Sequence, residues 1–301
     1  MKYQYPVTIL TPAYNRANLL PRLYKSLCNQ TSKDFQWLII DDGSTDNTQA
    51  VVDAFDTNRV NVEYHVKVNG GKHTALNYSH PYIKGEVVCI VDSDDWLVDI
   101  AVEEIIKRKE QFFSFKNVKL ITFLKGKNLT TPLLDEFPEE PTISNHIDFR
   151  VNAQRRADCC EVIDTEVFKE FLFPEFPGER FLGEGPLWNG AGFKYDTVYI
   201  KEILYVCEYL EGGLTESGRK LRLMCPHGGM ANCNSFYDDN SSRKVSDKIR
   251  RKEAMLFVCY GCQAKLNRAQ IIDRANDKEF VKRYYLAGKL LHAYWKHKYL
   301  R

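Results

Sequence analysis

The sequence lacks any apolar run long enough to cross a lipid bilayer. A spanning helix needs about 20 consecutive, mainly apolar residues, and none occurs although 44% of the 301 residues are apolar. A Gly-x-Gly-x-x-Gly fingerprint and a Gly-x-x-x-x-Gly-Lys-[Ser/Thr] loop are also missing, so neither a Rossmann dinucleotide fold nor a P-loop enzyme is supported. We therefore expect a globular, cytoplasmic protein with one large core, or a main domain and a smaller appendage.

The cysteines do not form the pattern of a disulfide framework. Their number, nine, is odd, their spacing is irregular, and Cys159 and Cys160 are adjacent, which favours reduced thiols. The Cys and His residues within 225–262 could supply zinc ligands, but the Cys259–Cys262 pair lies in a periodic apolar segment. We expect these cysteines to pack in a core.

One apolar run leads directly into a group of carboxylates. Residues 87–91 are uninterrupted and Asp92, Asp94 and Asp95 follow, as expected for a buried parallel strand whose carboxyl end borders a ligand site. Oxygen ligands at this density suit Mn²⁺ or Mg²⁺, which complete their shells with substrate phosphates. The alternative is a solvated turn in which Asp94 or Asp95 caps the next helix.

Strands alternate with helices through the first half of the chain. Apolar runs and turn residues predict strands at residues 7–10, 37–40, 60–66, 87–91, 119–124 and 203–207, with helices between the first four. This alternation predicts a doubly wound, mostly parallel α/β sheet. Residues 128–145, rich in Pro, Thr and acids, are expected to run over the surface, and helical periodicity returns over residues 247–301.

Charge is distributed unevenly although the formal net charge is only +2. Residues 243–301 contain 16 Lys/Arg against 5 Asp/Glu, a net charge of +11, and the remainder carries −9. No nucleic-acid-binding module is recognisable, so we expect no nucleic-acid partner. Basic residues interleaved with Leu290, Leu291, Tyr294 and Trp295 suit an anionic membrane surface at the cytoplasmic face. A partly buried basic helix of a soluble protein is the alternative.

Three signatures occur in order, each after a predicted strand. They are Thr11-Pro12-Ala13-Tyr14-Asn15-Arg16, Asp41-Asp42-Gly43-Ser44-Thr45-Asp46 and Asp92-Ser93-Asp94-Asp95. Together they resemble glycosyltransferase family 2 over roughly residues 5 to 215. The resemblance implies a GT-A fold, which we assign to residues 1–217. The charge and periodicity of the remaining residues predict a basic helical extension over residues 218–301. The resemblance also implies an inverting, metal-dependent transferase of the hexosyltransferase type.

The resemblance assigns roles in donor binding. The loop after the first strand would border the nucleotide, and Asp42 would accept the imide hydrogen of a uracil ring, which favours UDP-sugars. Lys72 would counter diphosphate charge, with a solvated turn lysine as the alternative. The residues expected to contact the donor are Thr11, Pro12, Ala13, Tyr14, Arg16, Asp42, Lys72, Asp92 and Ser93.

The metal and the catalytic base complete the expected site. Asp94 with Asp92 would hold Mn²⁺ or Mg²⁺ on the departing diphosphate, and Asp95 is a second candidate ligand or the residue that faces the acceptor. Inversion requires a carboxylate that takes the acceptor's proton. The resemblance favours Glu184 for this role and Glu179 as its substitute; the alternative is that both are loop residues paired with Arg180.

The sequence thus predicts an enzyme that moves a sugar from a UDP-sugar to a glycan or lipid-linked acceptor, in surface polysaccharide synthesis. Residues 209–215 resemble a loop that approaches the donor or the acceptor in relatives. Two other functions remain open: a sugar-1-phosphate nucleotidyltransferase and a non-catalytic nucleotide-sugar-binding module. The first should carry a glycine- and arginine-rich loop after the first strand, where residues 11–16 have no glycine.

Overall fold

The computed structural model describes residues 2–133, 137–155, 158–207 and 218–300. The chain divides into two compact units. The first comprises Met1–Asn145, Arg155–Glu170 and Tyr195–Glu208, and the second comprises His146–Gln154, Phe171–Lys194 and Tyr209–Arg301. The boundary expected after residue 217 stays a prediction, because it borders residues outside this description. The compact units differ from it by grouping residues 171–194 with the C-terminal helices.

The first unit is built on one mixed sheet. Its strands, within the described residues, are β1 Tyr5–Ala13, β2 Phe35–Asp41, β3 Val62–Val66, β4 Gly85–Ile90, β5 Trp96–Leu97, β6 Val118–Gly126, β7 Thr142–Ser144, β8 Cys159–Asp164 and β9 Asp196–Val206. The order is β3-β2-β1-β4-β8-β6-β9-β5, and β7 also pairs with β9. Strands β1, β2, β3, β4, β6 and β9 run in one direction and the other three run against it. The sheet is therefore mostly parallel, as the alternation of strands and helices predicts.

Helices cover both faces of this sheet. The helices of the first unit are α1 Leu20–Cys28, α2 Thr48–Asp53, α3 Lys72–Ser79, α4 Ala101–Phe112 and α5 Thr165–Glu170. Helices α1 and α4 share a core with Ile9 and Val87. Leu10 and Val88 point to the other face because side chains alternate along a strand, and they are equally buried. On that face α3 contacts β1 and β2, and α5 contacts β4, which confirms the doubly wound α/β fold.

Strand β1 is longer than predicted because Pro12 does not end it. Pairing with β2 continues through Pro12↔Ile40 to Ala13↔Asp41. Backbone polar groups alternate between the two sides of a strand, and the oxygen of Ala13 accepts from Asp42 N on the β2 side. The missing N–H of Pro12 therefore faces β4, where the ladder has already ended after Leu10↔Ile90.

The second unit is helical, as the periodicity predicts. Its helices, within the described residues, are α6 Gly185–Lys194, α7 Gly218–Met224, α8 Pro226–Asn234, α9 Asp247–Gln263, α10 Arg268–Asp273 and α11 Lys278–Tyr299, and Ile147–Asn152 adds a π-helical segment. Cys233 and Cys259 pack in its core with Phe257 and Val258, and all nine cysteines are free thiols. Across the described part of the chain, every helix is too short or too polar to span a bilayer.

Candidate active site

The three signature loops leave neighbouring strands at one edge of the sheet. Strand β1 lies between β2 and β4, and all three are parallel. Ala13 pairs with Asp41 at the end of β2, and Leu10 pairs with Ile90 at the end of β4. This is the carboxyl edge at which open α/β sheets bind ligands.

Only part of the first loop is presented to a ligand. Thr11 is fully buried, and its hydroxyl accepts a hydrogen bond from Trp37 Nε1 at 3.0 Å. Pro12 and Ala13 are also buried, as members of β1. Tyr14 is 42% exposed, so of these four residues it offers the side chain that can lie against a nucleobase, while Thr11 stabilises the sheet.

The first two signature loops are hydrogen-bonded to each other. Asn15 has a φ of 54°, a left-handed conformation that asparagine tolerates better than most residues. Its N–H donates to Ser44 Oγ at 2.8 Å, and its Oδ1 accepts from Thr45 N at 2.8 Å. Asp41 closes the second loop by accepting from Ser44 N at 2.7 Å. The two loops therefore form one surface.

Asp42 organises the loop that follows β3. Its Oδ1 accepts from Lys67 Nζ at 2.8 Å and from Gly70 N at 2.9 Å. Its Oδ2 accepts from Gly71 N at 2.6 Å and from Asn69 Nδ2 at 3.2 Å. A carboxylate has about four acceptor positions, so this buried group is fully occupied. Contact with a uracil ring would require one of these donors to leave.

Lys72 joins the second and third signatures. It follows Gly70 and Gly71 directly, and Gly71 has a φ of 97°, a conformation that favours glycine. The Lys72 ammonium pairs with Asp92 Oδ1 at 2.5 Å. Arg16 reaches the same turn, since its Nε donates to Ser93 Oγ at 3.2 Å. Arg16, Lys72, Asp92 and Ser93, four of the predicted donor-binding residues, therefore lie together.

Asp92 is ionised and partly exposed. Burial raises the pKa of its carboxyl group, but the ammonium groups of Lys72 and Lys125 outweigh burial and lower the pKa to about 2. The Lys125 ammonium lies 3.9 Å from Asp92 Oδ2. A buried, charged lysine is expensive unless it is paired, and Lys125 is 8% exposed. It also lies 3.9 Å from Asp158 Oδ2.

Asp95 has a different environment from Asp92. It is 6% exposed, and its Oδ2 accepts from the Tyr205 hydroxyl at 2.7 Å. Burial, followed by the nearby charges of Asp92 and Asp94, raises the pKa of Asp95 to about 7, against the opposing Tyr205 hydrogen bond and Lys125 charge. Asp95 therefore holds its proton to a higher pH than Asp92 does.

Two residues of this site were missed by the sequence analysis. Tyr205 is fully buried in β9, and its hydroxyl both donates to Asp95 and accepts from Asp92 N at 2.8 Å. The Lys125 ammonium lies 4.1 Å from the centre of the Tyr205 ring. A lysine at the end of an apolar strand was a usable signal for Lys125. Tyr205 gave none, because a tyrosine in an apolar run looks like any core residue.

The carboxylates of the third signature fit a hard divalent cation. Asp92 and Asp94 carry carboxylate oxygens two positions apart in the chain, and the main-chain oxygen of Asp94 accepts from Arg22 Nη2, which fixes the turn. Among the described residues, no three His, Cys, Asp or Glu side chains converge as a metal site. Mn²⁺ and Mg²⁺ commonly bind to one or two carboxylates together with substrate phosphates and water.

The two candidate bases belong to the second unit and differ in their surroundings. Glu179 accepts from His227 N at 2.9 Å, from Gly228 N at 2.8 Å and from His227 Nδ1 at 2.7 Å, and its side chain is 9% exposed. It anchors the start of α8. Glu184 lies just before α6 and accepts from Trp188 Nε1 at 2.7 Å. Residues 209–215 lie outside the described residues.

Comparison with known protein families identifies one family. A family model described as Glycosyl transferase family 2 matches residues 8–165, just over half of the chain. The chondroitin synthase of Pasteurella multocida is 42% identical over 101 residues, which cover 34% of this chain and 10% of that synthase. A GalNAc(5)-diNAcBac-PP-undecaprenol beta-1,3-glucosyltransferase of Campylobacter jejuni is 30% identical over 114 residues, 36% of each protein. The matches therefore span between a tenth and just over a third of these two relatives.

Solved structures resemble almost the whole chain. S. aureus TarS 1-349 in complex with UDP has a TM-score of 0.62 at 15% identity, covering 95% of this chain and 88% of that one. The mannosyltransferase PcManGT of Pyrobaculum calidifontis, in complex with GDP-Man and Mn²⁺, has a TM-score of 0.58 at 15% identity, covering 97% and 88%. At these identities the likeness concerns the fold alone, and it confirms the GT-A type expected from the sequence.

Proposed function

The chain belongs to glycosyltransferase family 2, and we propose that it transfers a sugar from a UDP-sugar to a hydroxyl group of a glycan or lipid-linked acceptor. The observation that carries this proposal is the meeting of all three signatures at one sheet edge. Asn15 is hydrogen-bonded to Ser44 and Thr45, Arg16 to Ser93, and Lys72 pairs with Asp92. The relatives named as chondroitin synthase and as an undecaprenol-linked glucosyltransferase support a role in polysaccharide or glycoconjugate synthesis. We further propose that the protein is of the hexosyltransferase type and acts at the cytoplasmic side of a membrane.

The nucleotide would lie on the loop surface formed by the first two signatures. Tyr14 would contact the base, with Thr11, Pro12 and Ala13 supporting the loop from β1. Asp42 would accept the uracil imide hydrogen in place of Asn69 Nδ2, its longest donor at 3.2 Å. The UDP complex of TarS supports a uridine donor.

The diphosphate would lie beside Arg16, Lys72 and the turn of the third signature. Lys72 is placed to exchange its bond with Asp92 for one with a phosphate oxygen, which frees a carboxylate oxygen of Asp92. Asp94 and Asp92 would hold Mn²⁺ or Mg²⁺, and Ser93 would stay with Arg16. When bound, the metal would supply Lewis-acid stabilisation of the charge on the departing diphosphate.

Glu184 is the proposed base for a single displacement. The acceptor oxygen would form a bond to the anomeric carbon while the bond to the diphosphate oxygen breaks, and the electron pair leaves with UDP. The acceptor proton would pass to Glu184, and attack on the face opposite the leaving diphosphate would invert the configuration at the anomeric carbon. Glu184 is a better candidate than Glu179, because three hydrogen bonds already hold Glu179 at the start of α8. Asp95 would face the acceptor.

A donor panel tests this function. We expect the purified protein to release UDP from one or more UDP-sugars with Mn²⁺, to lose this activity in EDTA, and to handle GDP- and dTDP-sugars poorly. Asp94→Asn should remove the activity, while Asp99→Asn, an exposed aspartate nearby, should retain it. Stabilisation by purine nucleotides alone would contradict the role of Asp42. Formation of a nucleotide-sugar and pyrophosphate from UTP and a sugar 1-phosphate would favour the nucleotidyltransferase instead.

Helix α11 supplies the proposed contact with an anionic membrane surface. Leu286, Leu290 and Tyr294 are 74%, 72% and 57% exposed, and their spacing of four residues places them on one side of the helix. Arg283 and Lys289 are exposed beside them. An exposed apolar row bordered by cations suits the boundary between headgroups and acyl chains of anionic lipid.

A further inference from the structure

The second unit contains a cavity of about 200 Å³. Phe181 and Gly183, which precede α6, form one wall, and residues of α7, α8 and α9 form the others. A cavity of roughly 150 Å³ admits a benzene-sized ring, so this space accommodates a single sugar ring. Nothing in the proposed donor site uses these residues.

The polar lining of the cavity is charged and partly buried. Glu253 is 5% exposed and pairs with Lys252 Nζ at 2.9 Å. Burial, followed by the charge of Glu253, raises the pKa of the Cys233 thiol, which lines the same cavity. Arg222 of α7 lines the same cavity and is exposed. With two cations against one carboxylate, the charged lining favours a ligand that bears negative charge.

The apolar lining is suited to the face of a sugar ring. Phe181 and Tyr260 both line the cavity, and aromatic rings give a large, rigid apolar surface. Gly229 of α8 leaves room for Tyr260, because a Cβ at this position would lie 2.8 Å from the tyrosine ring. Apolar walls with a few fixed polar groups are the usual composition of a small-molecule site.

The cavity also lies next to the proposed base, since Gly183 immediately precedes Glu184 in the chain. We infer that this cavity binds a sugar residue of the acceptor that carries a carboxylate or phosphate group, with Arg222 and Lys252 contacting the anion and Glu253 accepting sugar hydroxyls. This inference rests on the proposed transfer reaction. It assigns that reaction an anionic glycan acceptor.

Ligand-observed NMR titration of the full chain tests the inference. The probes are the methyl glycoside of a hexuronic acid, a hexose 6-phosphate and a neutral methyl hexoside. We expect one or both anionic probes to bind at least about fivefold more tightly than the neutral one, because hydrogen bonds to charged groups are stronger than neutral ones. The preferred anionic probe identifies the substituent.

Variants place the binding in this cavity. Arg222→Gln should weaken the anionic probe about tenfold, and Arg222→Lys should recover part of the loss because it keeps the charge. Lys220→Gln, an exposed lysine on α7 that does not line the cavity, should bind like wild type. Equal binding of neutral and anionic probes, or Arg222→Gln binding like wild type, would overturn the inference.

Hydrolysis of UDP-sugars by the wild-type protein, without acceptor, tests the proposed function separately. Hydrolysis without anion-selective sugar binding would refute only the inference about the cavity. Anion-selective binding without turnover of any donor would refute the proposed function and leave the cavity as a sugar-binding site.

Discussion

At the scale of single residues, Tyr205 connects the aspartates of the third signature to the sheet. Its hydroxyl donates to Asp95 and accepts from Asp92 N, so both ends of the third signature depend on one buried oxygen. Tyr205→Phe removes both bonds and leaves two buried polar groups unsatisfied, which costs roughly 1–3 kcal/mol of unfolding free energy.

Urea unfolding of Tyr205→Phe measures that cost, and calorimetric titration with UDP and Mn²⁺ should show weaker binding. The matched control is Tyr195→Phe, because the Tyr195 hydroxyl donates to Glu170 at an exposed position and its loss should cost less than about 1 kcal/mol. Equal effects of the two substitutions would contradict the positioning role of Tyr205.

Lys72 and Lys67 form a second matched pair of residues. Lys67 is largely buried against Asp42, with side-chain exposures of 13% and 5%, whereas Lys72 and Asp92 are 31% and 32% exposed. Lys67→Met should cost about 3–5 kcal/mol because it leaves a buried carboxylate without its cation. Lys72→Met should change stability by less than about 1 kcal/mol but lower the rate of UDP-sugar turnover at least about tenfold.

Denaturant titration and donor hydrolysis, measured on both lysine variants, separate the two roles. A Lys72→Met protein that is as active as wild type would remove Lys72 from the donor site. A Lys67→Met protein of unchanged stability would show that the hydrogen bonds from Asn69, Gly70 and Gly71 hold Asp42 without it.

Most residues of the site could be predicted from the sequence, but their hydrogen-bonding partners could not. Asp42 stands out as an acid at a strand end, yet the donors that occupy it come from residues 67–71, brought near by the pairing of β2 with β3. Tyr205 lies 110 positions from Asp95. Only the sheet order brings such groups together, and the periodicity of a single strand does not contain that order.

At the scale of elements, apolar runs predicted the parallel strands well because those strands are buried on both faces. Strand β8 was not predicted from the sequence. Its buried and partly buried residues do not follow a regular pattern. Its antiparallel direction against β4 and β6 depends on how the chain returns to the sheet. Strand β9 was predicted only at its end, residues 203–207, although it begins at Asp196. Its first residues, with Asp196, Thr197 and Tyr199, are more polar.

His146, which directly precedes the π-helical segment of the second unit, should make the stability of the fold depend on pH. Burial, followed by the charge of Arg150, lowers the pKa of His146 to about 3, against a hydrogen bond with Asn189. Because the folded-state pKa lies below the unfolded value near 6.5, the unfolded chain binds the proton first. The contribution is complete above about pH 6.5 and is lost as the pH falls toward 3, by at most about 1.4 kcal/mol per pH unit.

His146→Gln should therefore flatten the acid limb of the stability profile between pH 6.5 and pH 4. Urea unfolding at several pH values measures this, with His297→Gln, an exposed histidine of α11, as the control. A wild-type and a His146→Gln profile of the same slope would show that other groups cause the acid sensitivity.

At the scale of the whole molecule, the division into units could not be read from hydropathy. Residues 146–154 and 171–194 group with the C-terminal helices, but each is a short segment between sheet strands. A chain that leaves a unit and returns has no composition shift to mark the crossing. The contrast in charge was visible, however, because a net +11 over residues 243–301 needs no knowledge of contacts.

That charge contrast leads to a prediction about membranes. The exposed row of Leu286, Leu290 and Tyr294 can contribute apolar burial, and the surrounding cations contribute attraction to anionic headgroups, about 1 kcal/mol for each Lys or Arg near the surface. The protein should therefore float with vesicles that contain phosphatidylserine or phosphatidylglycerol and remain behind with phosphatidylcholine alone. High salt should weaken flotation without abolishing it, because screening affects only the electrostatic part.

Replacing Leu286 and Leu290 with Gln should reduce flotation at both salt concentrations, since it removes the apolar part. Leu172→Gln is the control, because Leu172 is a 62% exposed leucine of the same unit that lies outside α11. If the double variant floats like wild type, the apolar row does not enter the lipid, and binding that vanishes completely in salt would leave the basic residues as its sole cause. Absence of flotation with every anionic vesicle would contradict the proposed membrane contact. It would leave the proposed donor chemistry at the sheet edge unaffected, because the UDP-sugar assay tests that chemistry separately.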